Sequence, residues 1–118
     1  MEMNEPVTGA AHAVEALGAL AQEHRLAVFR LLVQAGAPGM AAGAIAGAVG
    51  LPGSSLSFHL AHLTRAGLVT QERRGRSLIY RADFAAMNAL LGYLMENCCG
   101  GAACAPAAAP EATERKSA

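Results

Sequence analysis

The stretch SSLSFHLAHLTRAGLV, residues Ser54–Val69, decides how this chain folds. Leu56, Leu60 and Leu63 stand at i, i+4 and i+7, one apolar stripe along a helix that ends near Ala66. Gly67 follows as a helix-stopping glycine. Ser54 or Ser55, after the turn GLPGSS, is placed to cap the helix by accepting a backbone N–H. The polar and aromatic residues Ser57, Phe58, His59 and His62 lie off the stripe.

Upstream, Met40–Val49 reads as a short helix of small residues, with Ile45 and Val49 at i, i+4. Gly36-Ala-Pro-Gly39 is a break. Ala11–Ala35 reads as helical, but one helix would be apolar on too many sides, so it divides near Gln22-Glu23-His24. Downstream, Leu68–Glu72 and Ser77–Arg81 are expected as two short strands joined by the turn Arg73-Arg74-Gly75-Arg76. Asp83 to about Asn97 is a last helix, apolar at Phe84, Met87, Leu90, Leu91, Leu94 and Met95. Residues 1–10 read as a flexible start, 11–99 as one domain, and 105–118 as a disordered tail of Ala, Pro and mixed charge.

The order is two helices across a tight glycine turn, then an arginine-tipped hairpin. It predicts a mainly α fold with a small β-hairpin, a winged helix-turn-helix. In that arrangement Ser54–Ala66 enters the major groove of double-stranded DNA, and the hairpin lays Arg73, Arg74 and Arg76 on the backbone or minor groove. Ser54, Ser55, Ser57, His59 and His62 are short donors and acceptors suited to phosphates and base edges. Phe58 and Arg65 share their helix and complete the expected DNA-contacting set. His59 and His62, at i, i+3, read either as polar surface or as a metal-binding pair.

Bulk properties agree. A chain of 118 residues holds one domain with a modest core. The net charge is zero, yet between Arg25 and Ala82 seven arginines stand against Glu72 alone, a local balance of +6. A basic middle in a neutral chain fits a nucleic-acid-binding face. The acidic early residues Glu2, Glu5 and Glu15 do not make a secretory signal, and no stretch is apolar enough to span a membrane. A cytoplasmic protein without a membrane partner is expected.

The same stretch resembles the recognition-helix signature of the ArsR-type (ArsR/SmtB) arsenical-resistance repressors, Ser-x-x-Ser-x-His-Leu-x-x-Leu-x-x-Ala-Gly-Leu-Val. ALAQEHRLAVFRLL, Ala19–Leu32, resembles that family's early helix, and RRGRSLIYRAD, Arg73–Asp83, its wing. The likeness runs from about Val14 to Cys104. It implies a cytoplasmic homodimer that occupies an operator and leaves it when an inducer binds. The first and last helices, about residues 11–22 and 83–97, would form the dimer interface. Many members carry Cys-x-Cys in the helix before the recognition helix. Here that helix reads MAAGAIAGAVG, Met40–Gly50, without cysteine.

All three thiols lie instead in ENCCGGAAC, Glu96–Cys104, as Cys98, Cys99 and Cys104. Gly100-Gly101 lets the chain turn back, so the three sulfurs can converge on a thiophilic ion. Trivalent arsenic takes three sulfurs in a shallow pyramid, and antimony(III) behaves alike. The expected inducer is therefore As(III) or Sb(III) at Cys98, Cys99 and Cys104, with no permanent cofactor. A methylated trivalent arsenical needs two thiols. Zinc or cadmium would want a fourth ligand, and a disulfide redox switch is a further alternative. A DNA-binding module with an unused tail also stays open. An enzyme is not expected. No cysteine is followed by the Cys-x5-Arg anion cradle of a phosphatase-like arsenate reductase, and neither a P-loop nor a Ser/His/Asp arrangement is present.

Overall fold

The computed structural model describes residues 9–97. Five helices and three strands follow in the order α1 Ala10–Leu20, α2 Glu23–Ala35, β1 Met40–Ala41, α3 Ala42–Val49, α4 Gly53–Arg65, β2 Val69–Arg74, β3 Ser77–Ala82 and α5 Phe84–Met95. The sheet is antiparallel in the order β1-β3-β2. The fold is a winged helix-turn-helix. Cys98, Cys99, Cys104 and the expected tail lie outside the described residues.

The division of the first helical region falls where the sequence placed it. Gln22 takes an extended conformation, and its side chain accepts from the Arg25 N–H at 2.9 Å. The Arg25 guanidinium then donates to the Ala19 carbonyl at 2.7 Å. One residue thus ties the end of α1 to the start of α2. Small Ala13, Ala16 and Ala19 are the buried positions of α1, which lets it pack closely.

The core is built from Val28, Leu32, Ile45, Leu56, Leu60, Leu63 and Leu68, all within 1% of full burial. Each such Val, Leu or Ile contributes about 1.5–3 kcal/mol relative to exposure. The stripe read from the sequence is therefore what seats α4.

The stop of α4 is a Schellman motif. Gly67, at φ 82, donates to the Thr64 carbonyl at 3.0 Å, and Leu68 donates to the Leu63 carbonyl at 3.1 Å. Leu63 and Leu68, the apolar pair that accompanies such motifs, are both buried.

Four local expectations need correction. Met40–Ala41 is not helical but pairs with Tyr80 and Ile79 of β3. The helix start at Gly53 has Pro52 as its N-cap with no side-chain cap, so Ser54 and Ser55 sit inside the first turn and cap nothing. The hairpin turn is two residues, Gly75-Arg76, with Gly75 at φ 60 as type II′ requires, and Arg73 and Arg74 belong to β2. Leu68 lies before β2, while β3 continues to Ala82.

Asp83 caps α5 by accepting from the Ala86 N–H at 2.9 Å, and its own N–H donates to the Leu68 carbonyl at 2.8 Å. Asn97, at φ 59, stands in the left-handed conformation just beyond the helix.

Candidate nucleic-acid interface

α3 and α4 meet at 109°, within the range of helix-turn-helix pairs. Gly50 makes the corner in the left-handed region, donating to the Ala46 carbonyl at 2.9 Å. No single described helix is long and apolar enough to cross a membrane.

At about 100° per residue, Leu56, Leu60 and Leu63 point one way and Ser54, Phe58, Ala61 and Arg65 the other. Burial follows that division. Ser54, Ser57, Phe58, Ala61 and Arg65 are exposed, and the three leucines are buried. Ser55, His59 and His62 are half-buried.

His59 turns from the outward face toward α2, where its ring lies 5.7 Å from that of His24. Its Nδ1 is covered and without a hydrogen-bond partner. Burial holds the His59 pKa below the ordinary 6.5, and the charges of Arg25, His24 and His62 push the same way. Burial and then Arg25 and Arg65 lower His62 too, against Glu15, which raises it. Neutral imidazoles are therefore favoured on this flank. Among the described residues no three His, Cys, Asp or Glu side chains converge as a metal site.

The other flank of α4 faces the wing. Pairing of Gln71 with Tyr80 and Arg73 with Leu78 puts those four on one face of the hairpin. Ser57, Ala61, Thr64 and Arg65 of α4 and Gln71 and Tyr80 of the wing line a groove of about 290 Å³. The Thr64 hydroxyl is turned inward, donating to the Leu60 carbonyl at 2.8 Å. Gln71 and Tyr80 were not among the sequence candidates. Centring the hairpin on Gly75-Arg76 would have found them, because the register then follows by alternation.

The three wing arginines are not equivalent. Glu72 accepts from Arg81 at 2.8 Å and from Arg74 Nε at 3.4 Å on the opposite face of the hairpin. The Arg81 bond, then Arg74, hold the Glu72 carboxyl below its usual range. Arg74 thus shares its charge with Glu72, while Arg73 and Arg76 make no ion pair among the described residues. Arg81 also donates to the Ala37 carbonyl at 2.7 Å, anchoring the wing to the loop after α2.

The arrangement is an outward helix face, a groove and a cationic hairpin, side by side. Comparison with known proteins agrees. The family described as a helix-turn-helix domain matches residues 20–72. The HTH-type transcriptional regulator YgaV of Escherichia coli is 30% identical over 98 residues, 83% of this chain and 97% of its own. A homodimeric winged helix-turn-helix DNA-binding domain from Mycobacterium bovis superposes with a TM-score of 0.59 at 32% identity, over 74% of this chain and 81% of that one. An ArsR-like transcriptional regulator from Rhodococcus gives 0.62 at 26% identity, over 71% and 76%. The chain belongs to the ArsR-type family of winged helix-turn-helix transcriptional regulators.

Proposed function

We propose that this regulator is a metalloid-responsive repressor. It binds operator DNA as a homodimer in the cytoplasm and is released when As(III) or Sb(III) binds Cys98, Cys99 and Cys104. The observation that carries the reading is the position of the thiols. All three lie three to nine residues after the end of α5, whose Leu91, Leu94 and Met95 are exposed, and α3 holds none.

Exposed Val14 and Leu17 of α1 stand with those side chains of α5 as an unpartnered apolar surplus. Burial of such surfaces against a second copy is how a monomer of this kind loses its exposed patches. The dimer then presents two α4 helices to successive major grooves. An ion held just beyond α5 acts at the dimer interface and changes the relation between the two α4 helices. A coupling of about 1–3 kcal/mol weakens operator binding roughly 5–150-fold.

The test is operator release followed by fluorescence anisotropy under reducing conditions, with arsenite, a monomethylated trivalent arsenical, zinc and cadmium compared. Release by arsenite that is lost in Cys98→Ser, Cys99→Ser and Cys104→Ser supports the three-thiol sensor. Release by the methylated species alone, surviving loss of one cysteine, replaces it with a two-thiol sensor. Release by zinc or cadmium instead, or by oxidants alone, removes arsenic from the reading.

A further inference from the structure

Phe58 is 65% exposed, in the middle of the helix that faces outward. The other exposed large apolar side chains of the described residues lie on α1, α2 and α5. Phe58 alone of them lies on α4, beside Ser54, Ser57, Ala61, His62 and Arg65 of its own helix. Its ring stands edge-on to His59 with centroids 5.8 Å apart, and His59 is itself fixed against α2. The position of the aromatic ring is thus supported from behind.

A phenyl ring offers no hydrogen bond, so of the groups displayed in a major groove it can distinguish only an apolar one. That group is the C5-methyl of thymine. Ala61, three residues on, presents a methyl-sized side chain beside the ring and leaves room for it. We infer that Phe58 and Ala61 form an apolar reading spot for a pyrimidine 5-methyl group, so that each operator half-site carries a thymine facing Phe58. The inference rests on α4 being the operator-reading helix.

The experiment begins with selection of duplexes from a random DNA library by the purified full chain. Each thymine of the selected site is then replaced in turn by deoxyuridine, which removes only the methyl group. Binding is read by anisotropy for the wild type, Phe58→Leu and Phe58→Ala. One thymine per half-site should cost about fourfold on loss of its methyl, the equivalent of one buried methylene. Phe58→Leu should keep that dependence and Phe58→Ala should lose it. Phe58 is exposed, so thermal melts of the variants should match the wild type.

If no sequence is enriched, the operator-reading role itself fails. If a sequence is enriched but the wild type is indifferent to every uracil, the reading spot is overturned and the operator role stands. A methyl dependence unchanged in Phe58→Ala overturns it equally.

Discussion

The uneven arginines of the wing lead to a quantitative expectation about salt. Each phosphate neutralised by a cation steepens the fall of log affinity with log salt by about 0.9. Between about 50 and 200 mM salt, one such contact is therefore worth roughly a 3.5-fold difference in how far affinity drops. Arg73 and Arg76 have no carboxylate partner among the described residues, whereas Arg74 lies 3.4 Å from Glu72. Arg73→Ala and Arg76→Ala should each flatten the slope by close to that full amount. Arg74→Ala should flatten it less.

Glu72→Gln should act in the opposite direction. It removes the one negative charge of the basic segment and releases Arg74, so the slope steepens and affinity at low salt rises about threefold. The assay is anisotropy of a labelled operator duplex across a salt series, with melting of each variant as the control for folding. If Arg73→Ala and Arg74→Ala prove identical, or Glu72→Gln leaves the slope unchanged, the ion pair does not govern the wing and the reasoning fails.

Three further outcomes are expected. Gly39→Ala should destabilise the protein by several kcal/mol and detach β1, because the added Cβ would meet the Tyr80 carbonyl at 2.6 Å from a backbone at φ 68; chemical denaturation measures it. Asp83→Ala removes the N-cap of α5 and should cost about 1 kcal/mol, with Asp83→Asn close to neutral. His59 has a folded pKa below its unfolded 6.5, so on acidification the unfolded state takes up the proton first. The stability it contributes is complete above 6.5 and is lost as pH falls below it. Denaturation midpoints at about pH 7.5 and 5.5 should converge in His59→Gln relative to the wild type.

The stripe Leu56, Leu60 and Leu63 was legible because burial and helical period coincide there. The Gly67 stop was legible because a left-handed residue is needed after the last turn. β1 was not, since two residues display no alternation and exist as a strand only through β3. The serines misled as caps because Pro52 already holds the extended conformation that a capping residue needs, two to three residues earlier than their polarity suggests. The groove with Gln71 and Tyr80 depended on register, and an error of two residues in the turn concealed it. The ion pairs of Glu72 join residues two and nine positions apart, and the sequence offers no signal for such a choice among seven arginines.

Arg81 bears on how such a molecule can be controlled. Its guanidinium spans from the Ala37 carbonyl to Glu72, and β1 lies along the same strand, so the hairpin is fastened at its root to the loop that follows α2. The wing is then no independent arm. Tilting it would break Arg81 from Ala37 and unzip β1 from β3 together, while α4 is locked to the same body through its buried leucines. Under the proposed function, a signal from the thiols beyond α5 would meet a single rigid block. It can turn or displace that block as a whole, changing where both contact surfaces fall along a duplex, far more readily than it can reshape either one.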